Sequence, residues 1–305
     1  TGKRWFPYMK GGGFQRWYGN QSHVVNWKND GAEIKEAPSF PRVAHKYFHR
    51  GVTWSKVASG IFCVRLSPGG FVFDVAGCSV FPPENLLHQF LAILNSPLIA
   101  AILKYISPTI NFEVGHIASL PISTQTSNQK NELVNKAISL AKADSEDSET
   151  TWDFIAPPDW PDGIQKVAER HAQLAEIERQ IDEEVYRLYD ISDEDRRAIE
   201  AELAEGSTAA ETEEDEETNG IDSEVTETSE TAWTEESLAK TWISYAVGVV
   251  MGQFEPGTEN GLGRGRFDTE TANHLQALKD KDGLLVVDPS HSDDLAARVL
   301  ASLET

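Results

Sequence analysis

Seven aromatic and five basic residues share the first 28 positions of the chain. Trp5, Phe6, Tyr8, Phe14, Trp17, Tyr18 and Trp27 are interleaved with Lys3, Arg4, Lys10, Arg16 and Lys28. Rings offer faces on which bases stack, and cations neutralise phosphates. The triplet Gly11-Gly12-Gly13 lies between the two halves and permits a close approach to another backbone. The chemistry suited to such a segment is recognition of a nucleic acid.

Residue patterns for bond-making chemistry are missing. The sequence has no phosphate-binding P-loop and no Gly-x-Ser-x-Gly nucleophile elbow. Gly261-Leu262-Gly263-Arg264-Gly265 resembles half of a dinucleotide loop but follows no credible strand, so it reads as a turn. His45 and His49 are spaced to share a helix face, but no HExxH glutamate accompanies them and Pro41 crowds the segment; no metal site is expected. Cys63 and Cys78 have no metal-site spacing and read as two reduced thiols of a cytosolic protein. The densest carboxylates, six in Glu211 to Glu217, fall in a stretch unable to hold them rigidly.

Charge divides the chain. The net charge is −22, yet residues 1–122 hold 12 lysines and arginines against 6 acids, a net of +6. Residues 123–305 hold 15 against 43, a net of −28. The first 122 residues also carry 18 of the 28 aromatics. The acidity therefore describes the second part, and the two parts have different tasks. A high-salt habitat would equally account for the carboxylates. No run reaches the ~18 apolar residues of a membrane span, and no signal peptide is visible, so a cytoplasmic protein without membrane partners is expected.

The elements that must position these residues follow from periodicity. Residues 1–30 read as loops and short strands, with His23 to Trp27 as one strand and turns at Gly19-Asn20 and Asn29-Asp30-Gly31. Further β-rich runs cover Arg50 to Ser55, Ile61 to Leu66 and Phe71 to Val75. The turn Ser67-Pro68-Gly69-Gly70 predicts a hairpin between the last two. From 84 to 107 the period becomes helical (Leu87, Phe90, Leu91, Leu94, Leu98, Ile102), with a break at Asn95-Ser96-Pro97. Helices are predicted at 130–143 and 163–190; the second carries a stripe from Val167 to Leu188 that suits packing on a neighbouring helix. A self-repelling, disordered linker is expected at 205–232, then a helix opening at Thr234, a strand from Leu284 to Val287 and a helix from about Ser292. The class is α+β: a mixed, β-rich domain at 1–122, a helical spacer at 123–204, the acidic linker, and a small C-terminal α/β segment at 233–305.

Several segments are familiar in this order. KRWFPYMKGGGFQRWYGN with VVNWKNDG resembles the start of the target-recognition region of large adenine-specific DNA methyltransferases, most nearly the phage-resistance (BREX) methyltransferases of the PglX family. FLAILNSPLIAAILKYISPTINFEVGHIASLPI (90–122) resembles a segment shared with restriction-type recognition domains. SETTWDF (148–154), RLYDISDED (187–195) and WISYAVGVVMGQF (242–254) fit the same family, although Gln253-Phe254 stands where Arg-Tyr is expected. The family's Asn-Pro-Pro-aromatic motif and Gly-rich S-adenosylmethionine loop do not occur in this sequence. The resemblance therefore implies a target-recognition and C-terminal portion, with no catalytic residue and no cofactor of its own. S-adenosylmethionine would serve the parent enzyme.

The partners implied are double-stranded DNA, an upstream methyltransferase domain or subunit, and other defence-system proteins. Candidate DNA contacts are Lys3, Arg4, Lys10, Arg16, Asn20, Lys28, Lys46, Arg50, Lys56 and Arg65. Arginine pairs bidentately with guanine, asparagine with adenine, and lysine with phosphate. Trp5, Trp17, Tyr18, Trp27 and Trp54 adjoin strand-like runs and fit a core better than stacking platforms. The alternative is a protein-interaction or scaffold module of the same defence system, its acidic part repelling DNA or binding a basic partner.

Overall fold

A computed structural model describes residues 4–36, 44–58, 61–213, 233–259, 261, 286–291 and 293–303. It confirms the α+β class and divides the chain into two compact units. One is built from the described residues up to Ala141 and from His171 onward through the next helix; the other from Lys142–Arg170 and the described residues from Trp233 on.

The first unit contains two three-stranded sheets. In one, β1 (Trp5–Met9) runs antiparallel to β2 (His23–Asn26), pairing Trp5 with Asn26 and Tyr8 with His23, and parallel to β5 (Val72–Phe73). In the other, β3 (Gly51–Ser55) lies between β4 (Arg65–Ser67) and β6 (Gly77–Val80), antiparallel to both. All five residues of β3 are buried, as a central strand covered on both faces requires. The hairpin expected at Ser67–Gly70 does not form, because β4 and β5 belong to different sheets. Gly70, at φ +95°, donates to the carbonyl of Phe48, and Phe48 donates back to Phe71, so the turn hands the chain from one sheet to the other. The strand expected over Ile61 to Leu66 shrinks to its end, since Val64 pairs with a side chain instead.

That side chain is Asn95. Its amide donates to the Val64 carbonyl (2.9 Å) and its oxygen accepts from the Val64 N–H (2.8 Å), so a helix break imitates a strand partner. It separates α2 (Leu87–Leu94) from α3 (Pro97–Ile106); the α2 segment, taken from Glu84, and α3 are bent by 74°. Ser96 caps α3, and Pro97 occupies the first-turn position where no N–H is needed. Both helices are lined with buried Leu, Ile and Ala. Among the described residues no single helix is long and apolar enough to cross a membrane.

After α1 (Lys28–Lys35) and the short α4 (Val114–Ala118), three long helices follow: α5 (Asn128–Glu146), α6 (Gly163–Leu188) and α7 (Asp193–Glu213). Residues 29–31 of α1 are left-handed, in keeping with the Asn-Asp-Gly turn. Ile177, Ile181 and Val185 of α6 enter the same core as Val52, Trp54, Leu91 and Ile99. From Leu174 to Leu188 the predicted stripe is thus a packing face, directed into the core of this unit. Helix α7 was not anticipated; it passes position 204, where the acidic linker was drawn, and residues 214–232 lie outside those described.

The second unit centres on α8 (Glu235–Val250), whose N-terminus is closed by Thr234 and Ser237 hydrogen-bonding to each other's backbone N–H. Tyr245 stacks on Phe254 (5.6 Å between centroids, 16° between planes), and both meet Phe154 edge-on. Phe254, in place of the expected Arg-Tyr, is therefore a core residue. Val299 of α9 (Leu295–Leu303) packs on Ala246 and Val250. Of the strand expected before it, Val286 forms a bridge with Asp294, and Leu284 and Leu285 lie outside the described residues. A Cβ at Gly248 would lie 2.2 Å from the Phe254 ring. Gly248→Ala should therefore lower the stability of this unit by ~1–3 kcal/mol despite alanine's better helix propensity, read as an earlier thermal transition.

Candidate nucleic-acid interface

The glycine segment forms a loop fastened at several points to the second sheet. Ser55 Oγ donates to the Gly12 carbonyl (2.7 Å), and Asn20 Nδ2 to the Gly13 carbonyl (2.8 Å). Trp17 donates its N–H to Val64 (3.1 Å) and accepts from the N–H of Leu66 (2.8 Å), which makes it a partner at the edge of β4. The Trp17 indole Nε1 donates to Glu178 on α6 at 2.6 Å. Below the loop the backbone of β1 meets the turn before β6: a Cβ at Gly77 would lie 2.5 Å from the Met9 carbonyl. Position 77 therefore has no room for a side chain.

Four of the five aromatic residues expected in a core are there, and Trp5 is not, because it lies at the exposed start of β1. Trp17, Tyr18, Trp27 and Trp54 are buried. Trp5 is 51% exposed with the Arg4 guanidinium 5.2 Å above its ring, and Phe14 is 49% exposed with Arg16 at 5.4 Å. Phe14 belongs to the aromatic-basic run of the first 28 residues and was not among those expected in a core. Its neighbour Arg16 was the available signal, since stacked guanidinium–ring pairs present a flat, positively charged face.

The candidate cations fall into three groups. Arg4, Lys10 and Lys28 are exposed and Lys46 is half-buried; their side chains have no ion-pair partner among the described residues, and Lys46 rests over Phe81. Arg16, Arg50 and Lys56 are paired with Glu178 (3.6 Å), Glu84 and Glu113 (2.9 Å). Surface pairs of this kind contribute little, about 0–1 kcal/mol, so an incoming phosphate can displace the acid. Asn20 is half-buried and its amide holds the loop. Lys3 lies outside the described residues.

Arg65 departs from expectation. It is fully buried in β4, so as a direct surface contact it must be set aside. Its Nη2 donates to Ser55 Oγ (3.3 Å), while Nε and Nη1 have no hydrogen-bond partner. Burial pulls its pKa below the ordinary arginine value, partly opposed by the neighbouring Cys63. Residue type alone suggested an exposed cation; the pairing of Thr53 with Arg65 across β3 and β4 turns the side chain inward. Cys63 and Cys78 are free and buried, and burial raises both thiol pKa values.

Behind the loop, α6 presents Glu178 and Asp182. Burial pushes the Asp182 carboxyl up to about 7; Arg16 and Arg196 oppose the shift, and Glu178 and Glu200 add to it. A carboxyl with a raised folded-state pKa favours folding while protonated, and that advantage fades as pH climbs from the unfolded value near 4 through 7. Asp182→Asn should therefore match the wild type at pH 4 and exceed it by roughly 1–3 kcal/mol at pH 8, measured by denaturant titration at the two values.

Two known proteins resemble this chain. The adenine-specific methyltransferase PglX of Lacticaseibacillus casei (strain Zhang) is 40% identical over 161 residues, and the adenine-specific methyltransferase BrxX of Escherichia coli O9:H4 (strain HS) is 36% identical over 154. Each alignment covers 50% of this chain and 13% of the relative, so the chain spans only a small part of those enzymes. No family model matches. The resemblance to PglX-type methyltransferases of BREX defence systems is borne out, over half of the chain.

Proposed function

We propose that this chain is the DNA-recognition part of an adenine-specific methyltransferase of a phage-defence system, with double-stranded DNA as its partner. The observation that carries the reading is the surface around the glycine loop: exposed Trp5 and Phe14, each under a guanidinium, with Lys10 unpaired between them in sequence. The likeness to PglX and BrxX supplies the chemistry such a surface would serve. Extruding an adenine from the duplex costs a few kcal/mol, and contacts made elsewhere on the DNA must offset it. In this reading, Arg4, Lys10, Lys28 and Lys46 neutralise phosphates and set the register, while Arg16, Arg50 and Lys56 exchange their acids for the nucleic acid. Methyl transfer and S-adenosylmethionine binding belong to another part of the parent enzyme, a methyltransferase domain or subunit.

The full chain should bind mixed-sequence duplex DNA at low salt, with log K falling against log salt with a slope of about −4 to −6, for the roughly four to seven phosphates these cations would neutralise. Fluorescence anisotropy across a chloride series measures it. Absence of binding at low salt would reject this reading in favour of a protein-interaction module, for which the acid excess of residues 123–305 is the supporting feature.

A further inference from the structure

A cavity of about 200 Å³ opens beside the glycine loop, lined by Lys10, Gly11, Gly12, Ser55, Lys56 and Val75. It is smaller than the ~300–1,000 Å³ typical of small-molecule sites, so its occupant is a small group or one unit of a polymer. Its chemistry is two-sided. Lys10 and Lys56 supply ammonium groups, while Val75 and Val57, 71% and 50% exposed, supply an apolar wall that water does not favour. Behind the Ser55 hydroxyl stands the Arg65 guanidinium, completely buried, with two donor nitrogens unpartnered and no carboxylate paired to it among the described residues. A buried cation without a counter-ion is costly, and an anion arriving nearby relieves that cost. The acids closest to the cavity are already engaged. Glu113 is paired with Lys56, and Asp74 accepts from Tyr8 (2.5 Å) and from the N–H groups of Ala76 and Gly77.

Building on the DNA-recognition reading above, we infer that this cavity holds one backbone unit of the duplex: a phosphodiester against Lys10 and Lys56, with its deoxyribose against Val75 and Val57. The phosphate is the anion that Arg65 lacks, acting through the field behind Ser55 rather than by direct contact. Such an anchor reads no base. It fixes the register from which other side chains read sequence. Glu113 competes for Lys56 in the free protein, so the anchor is partly masked until DNA arrives.

The test uses the full chain, labelled duplexes of unrelated sequence, and the variants Lys10→Gln and Glu113→Gln. Lys10 is exposed and unpaired, so its replacement leaves the thermal transition unchanged. Lys10→Gln should weaken binding to every duplex by a similar factor of about tenfold and reduce the salt slope by about one. Glu113→Gln should tighten binding. A duplex with neutral methylphosphonate linkages should lose the dependence on Lys10, and inorganic phosphate should displace DNA no better than chloride at equal ionic strength. Unchanged affinity and slope in Lys10→Gln would overturn the anchor, as would a loss confined to one sequence. Selective displacement by inorganic phosphate would assign the cavity to a free anion instead. If the wild type binds no duplex at low salt, the DNA reading fails and the anchor with it; binding that ignores Lys10 rejects the anchor alone.

Discussion

The arrangement of the first unit depends on Trp17. Its backbone is left-handed (φ 67°), an unusual state for a bulky residue, and is held there by hydrogen bonds to Val64 and Leu66 on one side and an indole bond to Glu178 on the other. That last bond joins positions 161 residues apart. It ties a loop at the start of the chain to a helix beyond the first domain drawn from sequence. The glycine loop is thus suspended between a sheet edge and α6, and every candidate contact on it, from Lys10 to Asn20, inherits its position from those two supports.

This support gives α6 a role other than spacing. Its apolar stripe closes the core beneath the sheets, and its acids, Glu178 and Asp182, lie beneath the basic loop. A positively charged surface repels itself. Carboxylates on the supporting helix, and Glu84 and Glu113 beside Arg50 and Lys56, reduce that repulsion without cancelling the exposed cations. The acids of α6 and the basicity of the first 122 residues are therefore complementary within one unit.

Much of this was legible from residue types, and what was missed has identifiable causes. Helices α2, α3, α5, α6 and α8 followed from apolar periodicity and from caps such as Ser96 and Thr234, which are local signals. The false hairpin at Ser67–Gly70 arose because turn chemistry reports a reversal of the chain but not which sheet receives the returning strand; Phe48 decides that, from 20 residues away. Arg65 was mistaken for a surface cation because its burial follows from pairing register, a non-local property. Of the aromatics, Trp17 and Trp54 gave themselves away as core by adjoining strands. Trp5 adjoins a strand as well and is exposed, so the same signal misplaced it. The cavity was invisible in sequence because it combines positions 10–12, 55–57 and 75–76, brought together by contacts such as Ser55 with Gly12, Lys56 with Ala76 and Met9 with Gly77.

The central claim is that the loop suspended from Trp17 is the surface that meets DNA. Photo-crosslinking of the full chain to a duplex carrying 5-iodouracil, followed by mass-spectrometric mapping, tests it most directly. The account predicts crosslinks concentrated on aromatic residues of the loop and its flanking strand, Trp5 and Phe14 first, and lost when Trp17→Ala releases the loop. Crosslinks confined to the second unit, or distributed without preference for that surface, would contradict it.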